Sequence, residues 1–425
     1  TLPDGTPNPE FTGCTLDMAG PYLFFANNFP DATEQQQQSY FVELGFPILD
    51  TLNVTAAGRY EKFEPIGLDT TVYKVSAKWQ IVDQFALRGS YGTNYQAPGP
   101  DIIPGEITNG VASYTRAGGA WLGSQVVTRS DIKPETATVW GIGAITQLSW
   151  GTDQDLQIIL DYFDIETEDE LGLVAATNDI ASSIFSATAP NFADCSHPLI
   201  HRVTFNGGAC VQGVTTARDF ASITTEFGNG PGQHVAGFDL QVNYGIGVGP
   251  GRLSLGLNAT KVEKNETTAT ILDGFTVKEP DDRLGYLNFA VVGFAAPEWR
   301  GNFFVNYNFG DHNIRAQFNY VSGVDDERFL NDDGTLNTAA AGLTPAGRQP
   351  GTTLPFEMST YGIFGEDWKT VDLHYLWRAP WATIGLSVLN VSDEDPPASR
   401  QEFGFDPRIG NALGRQFELT LRKKF

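Results

Sequence analysis

The sequence contains no run of eighteen or more apolar residues. That excludes an ordinary transmembrane helix, which needs about twenty. Its most apolar helical-looking piece, 171–189, is broken by Asn178, Asp179 and several Ser and Thr. Cysteine is scarce, three in 425 residues, too few for a disulfide-dense scaffold. Only five histidines occur, and no Ser/His/Asp spacing suggests nucleophilic catalysis, so no catalytic residue, cofactor or metal is expected. Charged residues are sparse at 18% and lopsided, giving a net charge of −24. Nucleic acid is excluded as a partner, because its phosphates need clustered Lys and Arg. The acidic excess reads as solvated loops rather than as a surface that attracts cations. The opening Thr1-Leu2-Pro3-Asp4 has neither a basic start nor an apolar core, so any leader is expected to be processed or absent.

What is present is a rhythm of two. Phe417, Leu419, Leu421 and Phe425 alternate with Gln416, Glu418, Thr420, Arg422 and Lys424. Period two is the strand period, because successive side chains point to opposite faces. The same alternation recurs, as in Phe238, Leu240, Val242 and Tyr244 against Asp239, Gln241 and Asn243. It predicts thirteen strands, at 38–49, 51–63, 70–81, 84–95, 135–150, 154–166, 234–247, 252–264, 297–309, 312–324, 367–378, 381–391 and 413–425. Aromatics gather near strand ends, among them Tyr91, Tyr95, Trp150, Tyr320, Trp377 and Trp381. Interfacial girdles would place them there.

Connections alternate in length. Short turns fall at Asp50-Thr51, Val82-Asp83, 151–153, 248–251, Gly310-Asp311 and Ala379-Pro380. Longer loops span 96–134, 167–233, 265–296, 325–366 and 392–412, and 64–69 is a short link on the long-loop side. Outer-membrane barrels segregate their links in this way. The expected fold is therefore all-β, a transmembrane antiparallel up-and-down β-barrel. The final strand runs toward the periplasm, and so does the first, which makes 1–37 an extracellular loop and 38–425 the barrel strands with their loops. An odd strand count would leave two unpaired edges in lipid. An amino-terminal portion is thus expected to be missing from this chain or supplied by another.

Several segments resemble TonB-dependent receptors. Ser90-Tyr91-Gly92-Thr93-Asn94-Tyr95-Gln96-Ala97-Pro98 is similar to that family's strand ending in Arg-Ala-Pro, with Gln96 in place of the usual Arg. Ile132-Lys133-Pro134-Glu135-Thr136, Asp161-Tyr162-Phe163-Asp164-Ile165, Gly237-Phe238-Asp239-Leu240, Leu389-Asn390-Val391-Ser392-Asp393 and the terminal strand from Gly414-Arg415 also resemble family motifs, in the family's order. The resemblance implies the last thirteen strands of a twenty-two-stranded barrel, whose amino-terminal plug domain lies outside this chain. It implies a transporter in the cell outer membrane that draws on the TonB complex through that plug. The cargo would be a scarce nutrient: siderophore-iron, cobalamin, haem or an oligosaccharide. Lipid and lipopolysaccharide would surround it. The terminal Phe417, Leu419, Leu421 and Phe425 match the recognition signal for the outer-membrane assembly machinery. Other readings of the same pattern are a passive porin or channel, and a surface adhesion or assembly barrel.

Candidate ligand contacts are Asn94, Tyr95 and Gln96 at a strand end, with Tyr114, Arg116, Trp121 and Arg129 in the loop 96–134. Their mix suits stacking on and hydrogen bonding to a polar ligand; the competing reading is a loop packed on its neighbours. Cys195 and Cys210 flank His197 and His201, which allows a two-Cys, two-His metal site, but an oxidising cell surface favours a disulfide. Cys14 would be free or paired outside the chain. The glycine-rich 245–251 opens no helix, so a tight turn is expected rather than a phosphate loop. Asn331-Asp332-Asp333-Gly334 lacks the remaining oxygen ligands of a calcium loop and reads as a solvated turn.

Overall fold

Alternation turns into a wall. A computed structural model describes residues 34–64, 67–288, 294–331, 334–337, 360–401 and 403–423. Its main sheet runs antiparallel through β1 (Gln36–Leu49), β2 (Leu52–Glu64), β3 (Leu68–Val82), β4 (Phe85–Gln96), β5 (Glu135–Trp150), β6 (Gln154–Glu168), β7 (Gln233–Val248), β8 (Gly251–Thr267), β9 (Trp299–Phe309), β10 (His312–Val321), β11 (Trp368–Ala379), β12 (Ala382–Leu389) and β13 (Gln416–Arg422). Each strand pairs with the next one in this order, so the chain is an all-β, up-and-down meander. Every strand expected from the alternation has its counterpart, with ends moved by a few residues. Among the described residues, β1 and β13 are paired on one side only.

The two faces differ as the rhythm requires. Phe303, Val305, Ile314, Phe318, Val371 and Leu373 are exposed along one face, and so are Leu386, Phe417, Leu419 and Leu421. The other face carries Asn, Gln, Asp, Arg and Thr. Large side chains that would fill a dry interior in a soluble sandwich here point outward without cover. No described helix is long and apolar enough to cross a membrane, which says nothing against a β-barrel.

Packing is concentrated in the loops instead. The expected long loops 96–134 and 167–233 fold into a second sheet, ordered Val203–Phe205, Phe220–Asn229, Ala120–Thr128 and Ile107–Tyr114, with Leu171–Leu173 beside Phe220–Asn229. Phe220–Asn229 and Ala120–Thr128 pair in parallel. The apolar piece noted at 171–189 holds an eight-residue helix, Thr177–Ile184, which buries Ile180, Ala181 and Ile184. These join Tyr114, Phe185, Leu199, Phe220, Ile223 and Leu272 in one core. Leu272 comes from a third loop, whose hairpin Thr270–Leu272 and Phe275–Lys278 docks on the same unit. Cys14, Phe425, Asp332, Asp333 and nearly all of the expected loop 1–37 lie outside the described residues.

Candidate functional site

The polar face of the wall is not uniform. On β2 to β4 it carries Arg59, Glu61, Lys74, Lys78 and Arg88. Ser39 donates to Glu61 at 2.5 Å, and Arg59 pairs with the same carboxylate. Arg88 bridges to Asp161 on β6, its Nε donating at 2.8 Å. Thr260 donates to Asp239 on β7 at 2.6 Å.

From β8 to β11 the same face turns to carboxamides. Asn258 donates to Asn302 at 3.1 Å. Asn313 donates to Asn306 and Asn308 at 2.7 and 2.8 Å. A chain of donors runs from Arg315 to Gln317 at 2.7 Å, from Gln317 to Asn319 at 2.7 Å, and from Asn319 to Asp372 at 2.7 Å. Arg315 also lies over the Phe304 ring, 3.9 Å from its centroid, an arrangement the ring quadrupole favours. The cation and the carboxylate at the two ends of this chain are thus separated by two neutral amides.

Two arginines tie three loops together above the wall, Arg202 joining 167–233 to 265–296 and Arg129 joining 96–134 to 167–233. Arg202 is 8% exposed and donates to both oxygens of Asp273, at 2.6 and 2.7 Å, and to Glu226 at 2.7 Å. Arg129 donates to Asp131 at 2.8 Å and reaches Glu226 at 3.8 Å. His201 Nε2 lies 3.1 Å from Asp273. The Arg202 guanidinium holds the Asp273 carboxyl below its usual range. Asp179 goes the other way: burial beside the loop core raises it, and Lys278 opposes that rise. Cys195 and Cys210 are bonded to each other with Cα atoms 5.6 Å apart. His197 is buried against Phe275, with ring centroids at 4.5 Å, and its Nδ1 accepts from Leu199 N. Burial pushes the His197 imidazolium below its ordinary range. The four residues therefore have separate structural duties, and the two-Cys, two-His alternative has no shared centre.

The proposed ligand residues separate into two places. Asn94 and Gln96 are exposed at the end of β4, and Tyr95 sets its ring edge-on to Phe63 at 6.1 Å. Tyr114 is fully buried. Its hydroxyl donates to the Gly123 carbonyl at 3.0 Å and its ring packs edge-on to Phe220 at 4.8 Å. That ring is part of the loop core and is not presented for stacking on a ligand. Arg129 is engaged in the ion network. Arg116 is half-buried, its Nε enclosed without a hydrogen-bond partner. Trp121 is 64% exposed on the loop sheet. Of these four, Tyr114 is buried and Arg129 ion-paired within the loops, Arg116 is half-buried and Trp121 is exposed.

Sequence reasoning missed a second loop cluster. Arg328 and Arg400 both lie over Phe329, at 5.1 and 4.7 Å from its centroid. Arg328 donates to both oxygens of Asp326, which is buried, and Arg400 donates to the Tyr361 carbonyl at 3.0 Å. Burial holds the Arg400 guanidinium below its ordinary range. The adjacent Asp326, Arg328 and Phe329 were the available signal. His374 Nδ1 lies 2.9 Å from Ser387 Oγ. Its neighbour Asp372 accepts from Asn319 and from the Asn390 backbone N–H.

Solved structures share this fold at low sequence identity. The siderophore receptor PirA from Acinetobacter baumannii is 14% identical with a TM-score of 0.57, covering 92% of this chain and 46% of its own. A variant of the ferric enterobactin receptor from Pseudomonas aeruginosa, in complex with enterobactin, is 14% identical with a TM-score of 0.59, covering 94% and 47%. The outer membrane transporter YddB from Escherichia coli is 12% identical with a TM-score of 0.54, covering 92% and 45%. The chain thus spans about half the length of these structures. No curated protein sequence matches it. The family model described as TonB dependent receptor-like, beta-barrel, matches residues 5–391. On that match, which takes in the strands β1 to β12 and all the loops between them, the chain belongs to the TonB-dependent receptor family.

Proposed function

We propose that this chain is part of the barrel of an outer-membrane transporter that takes up a siderophore-bound metal, drawing on TonB through a plug outside the chain. One observation carries the reading: an antiparallel meander with an uncovered apolar face, a polar inner face, and folded loops gathered at one end. Lipid covers the apolar face, short turns face the periplasm and loops face outward. Unpaired edges in lipid cost several kcal/mol per exposed backbone group, so β1 and β13 receive further strands. Both edges run in the same direction, hence an odd number of strands joins them antiparallel. The siderophore assignment is supported by the named relatives.

The test is uptake of a radiolabelled ferric catecholate by cells expressing the full-length receptor, with and without TonB. Accumulation that needs both supports the reading. TonB-independent entry would make the protein a passive channel, and binding without entry would make it an adhesion barrel.

A further inference from the structure

Away from the barrel, the loop sheet has a face that its own core does not use. Ala112, Tyr114, Leu122 and Ile223 turn one side of the sheet onto the loop core. Neighbours along a strand alternate, so Asn109 and Val111, Trp121 and Gln125, Ser222 and Thr224 turn the other way.

Three strands lay this face out in rows. Asn109 is opposite Gln125, which is beside Thr224. Gln125 Nε2 donates to Asn109 Oδ1 at 2.9 Å, and the Thr224 hydroxyl donates to Gln125 Oε1 at 3.3 Å. The next row, Val111, Gly123 and Ser222, is low. A Cβ at Gly123 would meet the Ala221 carbonyl at 2.5 Å and the Ser222 Cβ at 3.0 Å, so the middle of that row stays bare backbone. Beyond it Trp121 stands exposed, opposite Ser113. The face is therefore a shallow floor with an indole on one side and a line of neutral amides and a hydroxyl on the other, about 13 Å apart along the strand.

The polar row is ordered without being saturated. Both amide N–H groups of Asn109, one N–H of Gln125 and the lone pairs of Thr224 have no partner among the described residues. A purely apolar partner would strip water from these groups and return no hydrogen bond. A charged ligand finds no counter-ion, because Glu226, the only charged side chain on this face of the three strands, is held by Arg202. A sugar meets both demands. Its rings carry C–H groups on their faces, which stack on an indole, and hydroxyls at their rims, which exchange water for amide and hydroxyl partners.

We infer that this face of the loop sheet binds a neutral glycan, with one ring stacked on Trp121 and hydroxyls further along bonded to Asn109, Gln125 and Thr224. It is a site apart from that of the siderophore, and it needs of the transport reading only that the loops face outside the cell.

The probe is a printed array of neutral and uronic-acid-containing oligosaccharides, incubated with the full-length receptor in detergent. Neutral glycans should retain the receptor, with an affinity that salt does not change. Trp121→Ala and Gln125→Ala should each weaken retention about tenfold, and Trp121→Phe, which keeps a stacking ring, only about twofold to threefold. Val214→Ser, exposed elsewhere on the loop unit, should leave it unchanged. Heat-modifiable migration shows that each variant has folded. Retention by no glycan, which would make the face a protein contact, overturns the inference, as does retention by acidic glycans alone or undiminished retention of Trp121→Ala. Uptake of the ferric catecholate by cells carrying the same variants keeps the two readings apart. Intact uptake with lost glycan binding supports a separate site. Loss of both in folded protein makes the face part of the cargo route and overturns the inference. Failed uptake in the parent, with glycan binding kept, overturns the transport reading alone.

Discussion

Arg88 reaches over a glycine to Asp161. The three residues lie on adjacent strands, with Gly143 of β5 directly between Arg88 of β4 and Asp161 of β6. Two donors of the guanidinium meet the two carboxylate oxygens, Nε at 2.8 Å. A methyl group at position 143 would collide with the Asp161 carboxylate. The pair and the glycine are therefore one device, and their mutations should not add. Gly143→Ala should displace Asp161 and break the pair, at a cost of about 1 kcal/mol for a partly solvated bridge. In an Asp161→Ala background the same substitution should be nearly neutral, leaving only its contact with the Leu160 carbonyl at 3.1 Å. Thermal unfolding of the four proteins of this cycle in detergent measures the coupling. Additive losses would show that the glycine is needed for some other reason.

Arg202 carries a different kind of burden. It is buried, and two carboxylates from separate loops depend on it. Arg202→Ala leaves Asp273 with His201 and Glu226 with the more distant Arg129; breaking a buried pair typically costs about 3–5 kcal/mol, and the partial exposure of both acids and these remaining partners put the expectation at about 2–3 kcal/mol. The loss should be confined to the loop unit. Hydrogen exchange in Phe220–Asn229 should accelerate while β7 and β8, which share no such bond, keep their protection. Equal acceleration in the barrel strands would refute the separation of the two units.

Two acids of that unit give opposite pH dependence. Asp273 is depressed by Arg202, so its contribution is present above its ordinary value of 3.8 and is lost as pH falls through the lowered one. Asp179 is raised by burial, so its contribution is fully present below 3.8 and is lost as pH rises through the raised value. Asp179→Asn removes the second loss. It should protect the loop unit against proteolysis at neutral pH and leave acid sensitivity unchanged. If the variant is less stable than the parent at neutral pH, favourable contact of the carboxylate with Lys278 or the helix N-terminus outweighs its burial.

The barrel strands could be read from the sequence because each states its own case. Phe417, Leu419 and Leu421 alternate with polar residues within seven positions, and turns such as Gly310-Asp311 delimit the next strand. The loop unit could not be read that way. Tyr114, Ile180, Phe220 and Leu272 meet in one core, yet they come from pieces of three to ten residues in three loops. Arg202 and Asp273 are 71 positions apart. No local period encodes such contacts, and the parallel pairing of Ala120–Thr128 with Phe220–Asn229 leaves no short turn to announce it. For the same reason the loop 96–134 stayed open between a ligand surface and a packed loop: an aromatic in a loop gives no hint whether it faces water or a core assembled from elsewhere. The amide wall was visible as polar alternation, but its neutrality emerges only when β8, β9 and β10 are laid in register.

The terminal strand offers the sharpest contrast between faces. Leu419 is 73% exposed on the apolar side, and Thr420 points to the opposite face. If β13 lies in lipid, a charge on the apolar side near mid-membrane costs about 2–4 kcal/mol for a basic residue. Leu419→Lys should therefore lower the amount of folded receptor in the outer-membrane fraction severalfold, and Leu421→Lys should do the same. Thr420→Lys adds the same charge one residue away, where water is available, and should be tolerated. Heat-modifiable migration on gels of membrane fractions reads the folded amount directly. Equal loss at 419 and 420 would point to a general effect of charge on strand assembly, and equal tolerance would mean that lipid does not cover this face.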